Sequence, residues 1–208
     1  MGDLELRARA RDAAALDSPE ARARVLVERL RAGTLTAERV GLAAYCGSPE
    51  ADAIIDLIPQ AWRYDLIRRQ FSLGGWVRGL VRWGPEVQVR AAVSSALLVL
   101  ATPGRLSRAA DEHAWRVLEE AHTWLADPCA EHRLAWGRAF VAARPQDRGV
   151  WGAFLPAPYA RPEEVPTDEA ARVFNVWNAR AVEAAGELTS EAEVRAAVQR
   201  SLITWALS

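Results

Sequence analysis

The sequence predicts an all-α protein built as a stack of repeated helices, and three observations predict it. In Gly84–Ala101, GPEVQVRAAVSSALLVLA, residues Val89, Ala92, Val93, Ala96, Leu97 and Leu100 fall at i, i+3, i+4, i+7, i+8 and i+11. That is one apolar stripe at helical spacing. The opposite side carries Leu98 and Val99 with only Ser94 and Ser95 between, so this helix is expected to be buried on most sides. Second, Val194–Ala206, VRAAVQRSLITWA, repeats VRAAVSSALLVLA in register at Val, Arg, Ala, Ala, Val, Leu and Ala. There the two serines become Gln199 and Arg200, and Val99 becomes Thr204, so one face of this copy meets water. Third, Pro-Glu helix starts recur at Pro19, Pro49 and Pro85, intervals of 30 and 36 residues, as a helical solenoid would show.

Taken in order, residues 4–15 and 19–32 read as two helices. Ser18-Pro19-Glu20 opens the second with a capping serine, a proline at the first helical position and an acid on the positive end of the dipole. Ala23, Leu26, Val27 and Leu30 form its buried stripe, and Gly33 ends it. Thr36 caps a third helix through Cys46, stopped by Gly47, and Ser48-Pro49-Glu50 starts a fourth that Pro59 interrupts. Ala61–Phe71 and Trp76–Trp83 are expected as shorter helices before the central one. Ser107 caps a long helix through Ala126, Pro128 stops it, and Ala130–Ala143 follows. Thr167 opens the next helix, closed by Gly186, and Ser190 with Glu193 has capping-box spacing for the last. The total is about nine or ten helices, an α-solenoid-type stack.

Between them, residues 145–166 lose the pattern and carry five prolines together with Trp151, Phe154 and Tyr159. A structureless stretch this long is usually functional or a linker, and its aromatics suggest that it lies across the helices. The chain of 208 residues is expected to be one domain, with possible sub-units 1–144 and 167–208 joined by this loop. Half the residues are hydrophobic and a quarter charged, the balance of a globular protein. No apolar run reaches the roughly 18 residues of a membrane span. The charged start, MGDLELRARARD, is not that of a secretory leader. Two distant cysteines make no disulfide framework, so a reduced cytoplasm is the expected compartment. All 26 basic residues are arginine, which with the abundant alanine fits a GC-rich bacterial genome.

The run Glu86-Val87-Gln88-Val89-Arg90-Ala91-Ala92, with Leu97 further on, resembles the second helix of a HEAT-type repeat. Glu191–Leu202 repeats it, and Glu38–Ala44 echoes it with Arg and Val exchanged. The resemblance implies a stack of helix pairs whose concave surface binds another protein. Leu118-Glu119-x-Ala121-x-x-Trp124 is similar to a helix in bacterial putative immunity proteins, which neutralise a toxin by binding it. One DNA-repair glycosylase family also uses HEAT-like stacks, holding damaged bases with aromatic and acidic residues; here the likeness is one of architecture.

Chemistry-bearing motifs are scarce. His113, His122, Cys129 and His132 lie within twenty residues. The first two are nine positions apart on one helix, on opposite faces. His122, Cys129 and His132 could converge across the Pro128 turn, with Glu119 one turn before His122, but this is no recognised zinc spacing. Neither metal nor cofactor is expected. Cys46 sits at a helix C-terminus, where the dipole disfavours a thiolate. FSLGGWVRG at 71–79 lacks the lysine of a phosphate loop. No enzyme signature is present, although carboxylates paired only in space would escape such a reading.

Residues 61–90 are the most polarised, with six arginines against two acids, net +4, and Trp62, Tyr64, Phe71, Trp76 and Trp83 interleaved. Arginine with aromatics suits a protein hot spot, a nucleic-acid groove or plain solvated helix faces. Residues 163–193, net −6, offset it, which lowers the nucleic-acid reading. The candidate binding residues are therefore Trp62, Arg63, Arg68, Arg69, Trp76, Arg78, Arg82 and Trp83, with Trp151, Phe154 and Tyr159 from the loop. The expected partner is another protein, with nucleic acid second and no membrane. Of nine tryptophans, some are expected to anchor that surface and the rest to fill gaps between alanine-faced helices. Within the repeat, Leu97 is expected deep in the core and its counterpart Leu202 nearer the surface, so that Leu97→Ala would cost more.

Overall fold

The computed structural model describes residues 18–60, 70–102, 108–143, 156 and 167–208. The expected helix at 4–15, residues 61–69 of the one expected at Ala61–Phe71, the Ser107 cap and nearly all of the 145–166 loop lie outside the described residues. Within them every regular element is a helix: α1 (Pro19–Arg31), α2 (Ala37–Tyr45), α3 (Pro49–Asp52), α4 (Leu73–Gly79), α5 (Pro85–Leu100), α6 (Arg108–Ala126), α7 (Ala130–Ala143), α8 (Thr167–Leu188) and α9 (Glu191–Leu207). Short 3₁₀ turns stand at Ile55–Leu57 and Leu80–Trp83. None of these helices is long and apolar enough to cross a membrane.

The helix starts follow the sequence signals closely. Ser18 Oγ accepts from the Ala21 N–H at 3.3 Å, Thr36 Oγ1 from Arg39 N–H at 3.3 Å, and Ser48 Oγ from Ala51 N–H at 3.2 Å. Each satisfies a donor that the first helical turn leaves without an internal partner. Gly33, Gly47 and Gly84 have φ of 69°, 89° and 88°, the left-handed conformation that L side chains adopt at a cost, and each lets the chain leave one element for the next. At the start of α9, Ser190 Oγ accepts from the Glu193 N–H at 3.2 Å and donates to the Glu193 carboxylate at 2.8 Å.

The chain divides into two compact units, at Gln70/Phe71 and Ser201/Leu202 rather than within the 145–166 segment. In the first unit α1 packs on α3, and α2 on α3 and on the Ile55–Leu57 turn. Helix α2 is its core, with Val40, Leu42, Ala43, Ala44 and Tyr45 all buried. The last seven residues belong to this unit. There Arg29 donates to the carbonyls of Leu207 and Ser208, satisfying the end of α9, and the Arg39 guanidinium lies 4.6 Å from the centroid of the Trp205 ring.

In the second unit α5 is central: α8 packs on it, α6 packs on it, and the Leu80–Trp83 turn covers it as well. Helix α6 then pairs with α7 across the three-residue turn 127–129, and α4 packs on α8. The neighbours of α5 come close because the residues facing them are small: Ala91, Ala92, Ser95 and Ala96 are buried with Val87, Val89, Val93 and Val99.

Four expectations need correction. The helix expected at Trp76–Trp83 starts earlier and stops sooner: it is α4, Leu73–Gly79, capped by Ser72 and followed by the Leu80–Trp83 3₁₀ turn. The fourth helix is only the four residues of α3, because the chain turns into a 3₁₀ segment at Ile55, before Pro59 is reached. Gly186 does not close α8, which runs on to Leu188; a Cβ there would stand 2.8 Å from Leu73 Cδ2, so this glycine is a packing contact inside a helix. The ranking of the repeated leucines is reversed. Leu202 is 0% exposed, whereas Leu97 is only half-buried. In α9 the residues shared between the copies, Val194, Val198, Leu202 and Ala206, are the buried track itself. In α5 burial leaves that track after Val93 and follows Ala92, Ala96 and Val99. An i, i+4 track drifts about 40° around the axis at each step, so it stays covered only where the neighbours follow it.

Leu202→Ala is accordingly expected to cost about 2–5 kcal/mol, the range for a leucine truncated in a tight core. Leu97→Ala should cost less, about 1–2 kcal/mol, since less buried area is lost. Urea unfolding followed by circular dichroism ranks the two, and an equal or greater loss at Leu97 would contradict this assignment of the core.

Candidate protein-interaction surface

The described part of the basic-aromatic segment begins at Phe71 and runs through α4 and the Leu80–Trp83 turn into α5. Leu73, Trp76, Val77, Leu80 and Trp83 fall at i, i+3, i+4, i+7 and i+10, and all five are buried. This corrects the expectation for Trp76 and Trp83. They are core side chains of the second unit and do not offer their rings to a partner. Their helical spacing is the signal that distinguishes them, and it competed with the arginine-rich composition around them. Arg78 and Arg82, off that stripe, are exposed as expected. Trp62, Arg63, Arg68, Arg69, Trp151, Phe154 and Tyr159 lie outside the described residues.

The same stretch also exposes apolar side chains. Phe71 is 48% exposed and Val81 37% exposed. Ser72 caps α4, its Oγ accepting from the Gly75 N–H at 3.5 Å, and Glu191 Oε2 accepts the Leu73 N–H at 3.4 Å. Arg195 holds the entry to this surface from α9: it donates to the Phe71 carbonyl, and its guanidinium lies 5.2 Å from the Trp76 ring centroid.

The two glycines of the FSLGGWVRG stretch have a steric role here. A Cβ on Gly75 would stand 2.9 Å from Phe71 Cβ, so the ring lies against bare backbone. A Cβ on Gly74 would strike the Glu183 carboxylate and the Arg78 guanidinium. Those two groups pair at 3.4 Å, while Arg78 Nε donates to the Gly74 carbonyl at 2.8 Å. The acidic 163–193 region and the basic segment, separate blocks in the sequence, therefore meet where α8 packs on α4. Nearby Arg90 donates to the Glu86 carboxylate at 2.8 Å. The result is a surface rich in arginine with much of its charge compensated.

Other exposed apolar side chains of this unit were missed from the sequence. Trp115 on α6 is 45% exposed, and Leu134 and Val141, seven positions apart on α7, are also exposed. The signal for Trp115 is that it falls off the buried stripe Ala114, Val117, Leu118, Ala121, Trp124 and Leu125. Conversely, Leu118, Ala121 and Trp124, which carry the likeness to immunity proteins, are core residues. Trp124 lies 5.6 Å from the fully buried Trp136 of α7.

A narrow cleft in the second unit, lined by Val77, Leu80, Gln88, Ala91, Asn178, Ala179 and Val182, has essentially no room for even a water-sized sphere. It cannot serve as a small-molecule site, and no acid, base or nucleophile lines it. Cys46, the buried thiol of the first unit, is held protonated: burial pushes its pKa far above the ordinary thiol range. Burial, rather than the helix dipole, is thus what silences it.

A thiol-specific disulfide reagent should therefore modify one cysteine of the native protein, the half-exposed Cys129, and both in denaturant. Rapid modification of two thiols under native conditions would show that Cys46 is accessible.

Compared with known proteins, the chain matches no protein-family model, and no curated protein or solved structure is significantly similar to it.

Proposed function

We propose that this chain is a non-enzymatic, HEAT-like helical-repeat module that binds another protein, as an adaptor or an immunity-like neutralising protein. The observation that carries this reading is that the stretch 71–82 of the second unit exposes Phe71 and Val81 together with Arg78 and Arg82. Exposed aromatic and aliphatic groups flanked by guanidinium are the composition of protein hot spots. The HEAT-like build is supported by the repeated α5 and α9 sequences and by the proline starts of α1, α3 and α5. A suitable partner offers an apolar cleft rimmed by carboxylates, which would accept the ring of Phe71 and pair with the arginines.

Nucleic acid fits this surface less well. Non-specific affinity for phosphates rests on uncompensated positive charge, whereas Arg78 pairs with Glu183 and Arg90 with Glu86. Among the described residues, the tryptophans of this segment that would have stacked on bases, Trp76 and Trp83, are buried.

Affinity capture from lysate of the native cells tests this, comparing wild type with Phe71→Ser/Val81→Ser/Arg82→Ala. If each side chain contributes about 1–2 kcal/mol, as hot-spot residues do, a specific partner should be retained at least about tenfold less by the triple variant. Retention unchanged by the variant, or no retained protein, would count against the proposal. So would a mobility shift of DNA at about 50 mM salt that collapses on raising the salt, the signature of phosphate contacts.

A further inference from the structure

The α6–α7 turn brings three metal-binding side chains together that the sequence reading did not group. Asp127, Cys129 and His132 each place a ligand atom within 4.8 Å of the other two. His122, expected to join Cys129 and His132, is exposed on α6 and is not part of the group. Its place is taken by Asp127, which periodicity hides because it lies between the helices.

The convergence follows from the backbone. The Cys129 carbonyl accepts the first hydrogen bond of α7, from the Arg133 N–H at 3.2 Å, so Cys129 stands at the N-cap and His132 at the third helical position. Those are the two positions whose side chains meet in a capping box. The Asp127 N–H donates to the Thr123 carbonyl at 3.1 Å, which puts Asp127 at the end of α6. The Asp127 carbonyl then accepts from the Cys129 N–H at 2.8 Å and stands 2.9 Å from His132 Nδ1, while the Asp127 carboxylate lies 3.6 Å from the same nitrogen. With Pro128 between and the Trp124–Trp136 contact behind, the three backbones are set before any ligand arrives.

We propose that Asp127, Cys129 and His132 form a site for a divalent transition ion of the zinc type. One sulfur, one imidazole nitrogen and one carboxylate oxygen make a borderline-soft donor set that suits Zn²⁺ over Mg²⁺ or Ca²⁺. In a tetrahedral site the ligand atoms stand about 3.3–3.7 Å apart, so rotations of roughly an ångström in these partly exposed side chains close the group around one ion. The fourth position faces solvent and takes water. Binding replaces the Cys129 S–H bond with a sulfur–metal bond, and the proton passes to the buffer.

Cobalt(II) titration of the untagged full chain reads the site directly. The wild type is expected to develop a near-ultraviolet thiolate-to-cobalt absorption that saturates at one equivalent and is bleached by zinc. Cys129→Ser should abolish it. His132→Gln and Asp127→Asn should each weaken binding at least about tenfold, and His122→Gln should leave it unchanged. Alkylating Cys129 in the folded wild type, with Cys46 buried, should also remove the band without changing the helical circular dichroism, which separates loss of the ligand from loss of the fold. No band in the wild type, a band that survives Cys129→Ser or alkylation, or equal effects at His122 and His132 would overturn the proposal.

Discussion

The second unit depends on one constraint: α5 is enclosed by α6, α8 and the Leu80–Trp83 turn. A helix covered on several sides must present small side chains, since adjacent axes come close only where little projects between them. Ala91, Ala92, Ser95 and Ala96 supply that surface, and the buried valines fill what remains. Enclosure also obliges every polar atom on α5 to find a partner. Ser95 Oγ donates to the Ala92 carbonyl at 2.8 Å and Ser94 Oγ to the Arg90 carbonyl at 2.7 Å. Gln88 shows the same demand half met, with Nε2 donating to the Gly84 carbonyl at 3.5 Å and Oε1 buried without a partner among the described residues.

The character of the surface follows from this packing. Because α8 lies on both α5 and α4, it carries Glu183 to Arg78. Glycine at 74, 75 and 186 lets carboxylate, ring and leucine approach backbone that any Cβ would hold away. Arg78 of the basic segment thus pairs with Glu183 of the acidic one, and Phe71 and Val81 stand exposed in the same stretch as that paired arginine. A positive field strong enough to steer a polyanion requires the first segment without the second.

Helix limits were more legible in the sequence than burial. The starts at Pro19, Pro49 and Pro85 and the whole of Ala130–Ala143 follow from local chemistry, caps and prolines that act within one turn. Burial is decided by which neighbour covers which face, and the repeat could not supply that: the same Val-Arg-Ala-Ala-Val pattern precedes a half-exposed Leu97 and a buried Leu202. The candidate surface was half legible. Arg78 and Arg82 could be read from composition, but Trp76 and Trp83 needed the spacing of Leu73, Val77 and Leu80 to show that they point inward. Asp127 could not be read at all, since its relation to Cys129 and His132 exists only once the turn has its hydrogen bonds.

The first unit is assembled from segments distant in sequence: Arg29 reaches the carbonyls of Leu207 and Ser208 across 178 and 179 positions. Closing so long a loop in a flexible chain costs about 4–5 kcal/mol beyond a constant, from the logarithmic dependence on length. Two hydrogen bonds from a charged donor, at about 1.5–3 kcal/mol each, and the burial of Leu202, at about 1.5–3 kcal/mol, are of the same size. Closure of the bare chain would therefore be finely balanced. The second unit takes Phe71–Ser201 out of that loop and holds its own ends together: Arg195, six residues before its last, donates to the carbonyl of Phe71, its first. Because the cost depends on the logarithm of length, and roughly 40 residues still separate Arg29 from Phe71, this lowers it by only about 1 kcal/mol. The hydrogen bonds of Arg29 and the burial of Leu202 must therefore carry most of the closure themselves.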